Sequence, residues 1–290
     1  MLTNMVGMVY VNGVITPADA AVIPVFDHGF LYGEGVYETL RTYGRQPFAF
    51  EAHMARLRRS AAMIALPVPM SDADLAAAVA DTGRDVVSDE LYIRMLLTRG
   101  VGDLTYQLSA TPVPSLVIIV KPLKPFPAAH YTDGISLALS PVRRNHPDAL
   151  TPLVKSNNLM NTALAMQAVA SQGVDEAVLL NQAGHVTECS QSNLFLVMGG
   201  TLVTPELAAG LLPGITRQLV IELARAAGVA VEERIVRPEE LATADELFIT
   251  STTREIAPAT RLNGAAIGTG RPGPVTTLLR ERFVARVTAR

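Results

Sequence analysis

Residues 121–134 read KPLKPFPAAHYTDG, and this stretch divides the chain. Pro122, Pro125 and Pro127 interrupt helix and ladder alike, because each removes a backbone donor and fixes φ. Gly134 then restarts a strand in ISLALS. Segment 121–133 is therefore expected to be an interdomain linker, with a smaller domain over 1–120 and a larger one over 134–290. A length of 290 residues suits two domains that each bury a core. The same stretch holds Lys121 and Lys124, and the chain has only one other lysine among its 24 Lys+Arg. That third lysine is Lys155, in LTPLVKSNNLMNTALAMQAVASQG (150–173).

Both sides of the linker mix strand and helix, an α+β plan. In the first domain MVYVNGVIT turns at Asn12-Gly13, a hairpin signal. GVYETLRTY, LYIRMLLTRG and SLVIIV are expected strands, and EAHMARLRRSAAMI an expected helix. Ser71 and Asp74 form a capping-box start for a second helix, ADLAAAVADTG. In the second domain DEAVLLNQAGHVTE and SNLFLVMGGTLVTP read as hairpins, and GITRQLVIELARAAG as a helix. VAVEERIV reads as a strand, and DELFITSTTREIAP as a strand running into a loop. The stretch after Lys155 reads as a helix headed by that lysine, with Leu159, Ala163, Met166 and Ala170 toward the core. Gly173 and Gly228 stand where helix C-caps belong.

Composition removes several function classes. The formal charge of −3 gives no reason to expect a nucleic acid or an anionic membrane as partner. Cys189 is the single cysteine, so no intrachain disulfide and no Cys-based zinc cluster is expected. The five histidines, His28, His53, His130, His146 and His185, lack metal-ligand spacing, and no metal is expected. No apolar run approaches the ~20 residues that span a bilayer. The start, MLTNMVGMVYVNG, lacks a basic segment followed by an apolar one, which leads to the expectation of a cytoplasmic protein.

The chemistry-bearing residues begin with Lys155. An amine can lose its proton and form a Schiff base, whereas a guanidinium stays charged; the plain alternative is a surface lysine near a helix start. A Schiff-base lysine working with an electron-sink cofactor needs a phosphate site and an acid for the ring nitrogen. Gly214, Ile215 and Thr216 open a helix, where free N–H groups attract phosphate, or where a simple N-cap stands. Glu188 ends a hairpin arm, either exposed there or buried against a positive partner. Arg56, Arg58 and Arg59 lie on one helix, solvated or clamping an anion. Ser251, Thr252 and Thr253 offer hydroxyl and amide donors at a strand exit, or an ordinary turn.

Taken in order along the chain, HxxRL, KSxN, TExxxxN, PGITR and STTxEIxP resemble the fold-type IV pyridoxal-phosphate enzymes. These are the branched-chain and D-amino-acid aminotransferases and aminodeoxychorismate lyase. The likeness runs from VNGVITPADAAVIPVFDHGFLYGEGVYETLRTY to GRPGPVTTLL, nearly the whole chain. It implies a small domain, an interdomain loop and a large domain, with homodimers or higher homo-oligomers whose sites lie at the domain junction. It also implies pyridoxal 5'-phosphate held on Lys155, with Glu188 on the ring nitrogen and Leu212 against a ring face. Arg56, Ile215, Thr216 and Thr252 would hold the phosphate, with Ser251 beside them. Tyr32, Tyr37, Arg41, Leu104, Tyr106, Met160 and Thr253 would line the substrate pocket.

The implied activity is a ping-pong transfer of an amino group from an amino acid to a 2-oxo acid such as 2-oxoglutarate or pyruvate. Three departures divide the family's members. The Arg-x-His that D-specific enzymes carry shortly after TRG is replaced by Leu104 and Tyr106. The branched-chain enzymes' Gly-Thr-Ala at the strand end, and their Tyr five residues after the lysine, are replaced by TSTTREI and Met160. LALSPVRRNHP and VTEC resemble the lyase. Handedness therefore stays open, as do the lyase and an (R)-selective amine transaminase. Arg41, Arg99 and Arg254 are candidates for a second substrate carboxylate. A cofactor-free aldolase would not need Glu188 and the GIT site, and a binding protein would leave all of these residues unexplained.

Overall fold

Asn12 and Gly13 both take positive φ, 47° and 99°, and join β1 (Met8–Val11) to β2 (Val14–Pro17) in the expected hairpin. The computed structural model describes residues 6–289. Residues 1–5, part of the start read above for a leader, lie outside it. The chain divides into two compact units, Met1–Pro125 with Val154–Asn158, and Phe126–Leu153 with Leu159–Arg290.

The first unit continues with α1 (His28–Tyr32), β3 (Gly35–Tyr43), β4 (Gln46–Pro47), α2 (Phe50–Met63), α3 (Asp72–Gly83), β5 (Leu91–Thr98) and β6 (Ser115–Pro122). Among the described residues its strands form one sheet in the order β2-β1-β6-β5-β3-β4. β3 alternates, as a half-buried strand does. Val36, Glu38 and Leu40 point into the core with Met54, Leu57 and Ala61 of α2, while Tyr37, Thr39 and Arg41 point to the other face. The capping box of α3 is present, with Ser71 Oγ accepting from Asp74 N and Asp74 Oδ2 from Ser71 N.

The second unit holds α4 (Ala128–Thr132), β7 (Ile135–Leu139), α5 (Met160–Val169), β8 (Glu176–Leu180), β9 (Val186–Cys189), β10 (Asn193–Met198) and β11 (Thr201–Pro205). It continues with α6 (Ile215–Ala226), β12 (Val231–Arg234), α7 (Pro238–Thr243), β13 (Glu246–Ser251), β14 (Glu255–Leu262), β15 (Ala265–Ala266) and α8 (Pro274–Thr288). The sheet runs β12-β11-β10-β13-β14-β7-β8-β9, with β15 beside β14. The hairpins β8–β9 and β10–β11 fall where the sequence placed them. The rings of Phe195 and Phe248 stack at 4.9 Å across β10 and β13 and are fully buried, while Leu194, Leu196, Leu247 and Ile249 of the same strands face a core of Leu, Ile and Val side chains. The expected α+β class is what forms.

Expectations change at several places, and the stretch read as a strand running into a loop is instead a strand pair, β13 with β14. Lys121 and Pro122 still belong to β6 and residues 128–132 are helical, so the expected linker 121–133 is not one irregular stretch. Lys155 does not head a helix: α5 starts at Met160, and residues 154–158 join the first unit instead of the expected 134–290 domain. The cause is backbone pairing with β3. Tyr37 N donates to Lys155 O at 3.0 Å, Asn157 N donates to Gly35 O at 2.9 Å, and Val36 bridges Ser156. Finally, α5 buries Ala165 and Val169, with Met166 packed partly against them, and leaves Leu159, Ala163 and Ala170 exposed. A segment apolar on nearly every side gives its period no face to select.

Candidate active site

The candidate residues fall into two groups, one on each unit. In the first, strand pairing fixes Lys155 from both sides: its N–H donates to Ser60 Oγ at 3.1 Å and its C=O accepts from Tyr37. Gly35 permits this approach, since a Cβ there would lie 2.6 Å from Leu97 O and 3.3 Å from Asn157 Nδ2. The Lys155 Nζ lies 4.4 Å from the centroid of the Tyr37 ring, and the guanidinium of Arg94 lies 4.3 Å from the same ring. Among the described residues, Arg94 Nε is buried with no hydrogen-bond partner. A donor left unused in a buried setting is costly, so it marks a place where an acceptor belongs. Arg94 escaped the sequence reading because in LYIRMLLTRG it looks like an ordinary outward residue of a strand. Register is the signal that finds it: Arg94 pairs with Thr39, on the same face as Tyr37.

Arg56 shares α2 with Ser60, one turn away and on the same side. Its Nε and Nη2 donate to Glu38 Oε1 and Oε2 at 2.7 and 2.8 Å, and His53 Nδ1 lies 2.7 Å from Glu38 Oε2. Glu38 is fully buried on the core face of β3. Burial alone would raise its carboxyl, but the charge and hydrogen bonds of Arg56, aided by His53, outweigh it and hold the group at about 2. Burial pushes His53 below its ordinary range, against the pull of Glu38. The sequence reading missed Glu38, although an acid at a core position of an alternating strand is the signal for a buried pair.

Of the pocket candidates, Tyr37 meets Lys155, whereas Tyr32 lies against Tyr106 at 5.1 Å. Leu104 and Tyr106 are 68% and 84% exposed. Arg41 lies over Tyr43. Arg99 is committed to Glu34 and to the carbonyls of Ile64 and Ala65, so it is not a ready receptor for a second carboxylate.

The second group centres on Glu188, which β9 buries. Its Oε1 accepts from Arg144 Nε at 2.9 Å, and its Oε2 from Leu212 N at 3.1 Å and Asn193 Nδ2 at 3.4 Å. Asn193 also donates to Leu212 O at 2.9 Å, tying Glu188 to the turn that enters α6. At that turn Gly214 is the N-cap and supplies no side-chain cap to the N–H groups of Ile215 and Thr216. A Cβ on Gly214 would fall 1.9 Å from Asn193 Oδ1, so the cradle has no room for one. Arg217, buried, pins this first turn to β11 and β12 through Thr204, Pro205 and Glu233. Thr250 pairs with Asn193 across the sheet, and its buried Oγ1 has no partner among the described residues. Ser251, Thr252 and Thr253 follow at the turn, half-buried. Met160, first in α5, is exposed. Arg254 is paired with Glu176, a buried acid that also accepts from Ser190 and Gln191, and so it too is committed. Cys189 is packed; burial, with Glu176 near it, pushes its thiol well above the ordinary range.

These observations fit pyridoxal phosphate. An uncapped twelve-residue helix start with a side-chain-free cradle suits a phosphate. A buried, hydrogen-bonded acid suits a ring nitrogen, and a lysine amine resting on an aromatic ring suits an aldehyde. Among the described residues no His, Cys, Asp and Glu group is placed to hold a metal, and no helix is long and apolar enough to cross a membrane.

Comparison with known proteins agrees with the fit. The family described as Amino-transferase class IV matches residues 35–262. A putative branched-chain-amino-acid aminotransferase of Methanocaldococcus jannaschii is 38% identical over 275 residues, covering 95% of this chain and 94% of that one. A D-alanine aminotransferase of Bacillus licheniformis is 31% identical, covering 91% and 92%. The structure of a Thermobaculum terrenum branched-chain amino acid aminotransferase in its PLP form matches with a TM-score of 0.86 at 29% identity, covering 98% and 95%.

Proposed function

Since the chain belongs to the class IV aminotransferases and is a pyridoxal-phosphate-dependent transaminase, we propose that its amino donor is an L-amino acid with a branched or otherwise apolar side chain, and its acceptor a 2-oxo acid such as 2-oxoglutarate. The observation that carries this reading is the shared ring of Tyr37, on which an amine and a guanidinium with an unused donor meet. Arg94 would receive the substrate carboxylate, and the amine of Lys155 would take the proton from the substrate's α-carbon as base and deliver it as acid to the carbon that had been the cofactor's aldehyde carbon, so that the amino group stays with the cofactor. When bound, pyridoxal phosphate supplies an electron sink for that proton transfer and carries the amino group until the second substrate arrives.

The chain's own residues hold the cofactor as follows. Lys155 would bind its aldehyde end, Glu188 would pair with the ring nitrogen and Leu212 would lie against the ring. The N–H groups of Ile215 and Thr216 and the Thr252 hydroxyl would bind the phosphate, with Ser251 next to them, and Arg56, two of whose donors hold Glu38, would add its charge. Tyr32, Arg41, Leu104, Tyr106, Met160 and Thr253 would bound the side-chain end. Their largely apolar chemistry favours an apolar donor. An L-donor is favoured because Leu104 and Tyr106 replace the Arg-x-His trap and because the relative at 38% identity bears the branched-chain name.

The same reading makes the protein a cytoplasmic homodimer. Val22, Val25, Phe26 and Phe30 of one short segment, and Leu104 and Tyr106 of another, are exposed in the first unit, apolar side chains that a partner subunit would cover. Sedimentation should give twice 30.9 kDa, and a single-chain mass would contradict it. Substrate choice is tested by adding L-leucine, D-alanine, D-glutamate and (R)-1-phenylethylamine singly to the loaded protein and following the cofactor's visible band. Loss with L-leucine supports the proposal; loss with only the D-compounds or the amine contradicts it. Pyruvate release from a chorismate derivative without an amino acceptor would make the protein a lyase.

A further inference from the structure

Arg144, in the stretch LALSPVRRNHP, is a cation that holds Glu188. Its Nε donates to Glu188 Oε1 at 2.9 Å and its Nη1 to Asn161 Oδ1 at 3.2 Å. Asn161, in the first turn of α5, is itself fixed: its Nδ2 donates to Arg143 O at 2.8 Å, and its Oδ1 accepts from Asn145 N at 3.3 Å. Gln182 Nε2 donates to Arg144 O at 2.9 Å, so backbone and side chain of the arginine are both anchored. The side chains of Arg144 and Glu188 are 13% and 8% exposed, and a charge-assisted bond in such a setting orients as well as attracts. Leu212 N and Asn193 Nδ2 hold the other carboxylate oxygen. The carboxylate is thus gripped at both edges, and its plane is set.

We propose that Arg144, tethered by Asn161, is a positioning residue that aims Glu188 at the cofactor's ring nitrogen and thereby sets how firmly that nitrogen keeps its proton. This rests on the reading of Glu188 given above. Arg144 exerts two opposed effects. Its fork fixes the carboxylate, which favours a proton on the ring nitrogen; its own charge opposes a second cation there. The proposal is that the first dominates. Asn161→Ala separates them, because it removes the tether and leaves the charge.

The test uses holoprotein loaded with cofactor labelled with nitrogen-15 in the ring, whose resonance is followed against pH in the wild type, Arg144→Met, Arg144→Lys and Asn161→Ala. In Arg144→Met the midpoint should fall by about one pH unit, a tenfold change in proton affinity. Asn161→Ala and Arg144→Lys should move it the same way by less, with kcat lowered in all three and the KM for the amino donor nearly unchanged. An unchanged or raised midpoint in Arg144→Met overturns the proposal; if that variant does not fold, an unmoved or raised midpoint in Asn161→Ala does so. A wild type that takes up no cofactor overturns the reading of Glu188 and this inference together.

Discussion

Lys155 and Arg94 make the residue-scale case. Both lie against the ring of Tyr37, and neither placement follows from spacing along the chain. Lys155 was legible because the chain uses arginine almost everywhere else, so a rare lysine stood out. Arg94 was not, because only strand register shows that it shares a face with Tyr37. Arg94→Leu should raise the KM for the amino acid while the protein still takes up cofactor. Loss of a charge-assisted pair of this kind costs about 1.5–3 kcal/mol, or roughly 10–100-fold in kcat/KM. Steady-state kinetics check this, and unchanged kcat/KM would move the carboxylate receptor elsewhere. At Gly214, alanine would place its Cβ against Asn193 Oδ1. Gly214→Ala should therefore weaken cofactor retention on dialysis much more than it disturbs far-ultraviolet circular dichroism.

At the scale of elements, β3 and α2 show a polar group built into a core. Glu38 stands between Val36 and Leu40 on the buried face, and α2 answers with His53 and Arg56 alongside Met54 and Leu57. Breaking one partner of such a pair leaves a buried charge, so Glu38→Gln should cost about 3–5 kcal/mol in denaturant unfolding and loosen Arg56. The pH dependence has a definite sign. The carboxyl of Glu38 lies below its ordinary 4.5, so its contribution is whole above that value and lost as pH falls toward about 2. His53, also lowered, contributes as the neutral ring above its ordinary 6.5, and that part fades below it as the unfolded state takes up the proton. Acid unfolding of the wild type should therefore show a loss of stability between 4.5 and 2 that Glu38→Gln lacks. The hairpins and the α3 capping box were readable because turn and cap chemistry is local. The buried face of α5 was not, since Leu159, Ala163, Ala165 and Val169 are all apolar and only packing chooses among them.

For the whole molecule, the order of motifs along the chain carried the family, and the α+β class followed from hairpins alternating with helices. The prolines of 121–134 were the boundary signal in the sequence, and nothing in spacing or composition could give the return of Val154–Asn158 to the first unit, because it depends on backbone pairing with β3. That return places Lys155 in the same unit as Tyr37, Arg94 and Arg56. Glu188, Leu212 and the start of α6 belong to the other unit. Attachment of the cofactor to Lys155 is decidable in one experiment, because the chain has three lysines. Protein loaded with pyridoxal phosphate is reduced with borohydride, which fixes any cofactor–lysine linkage, then digested and mapped by mass spectrometry. The label should fall on the peptide containing Lys155 and nowhere else. A label on Lys121 or Lys124, or no stable label at all, would contradict it.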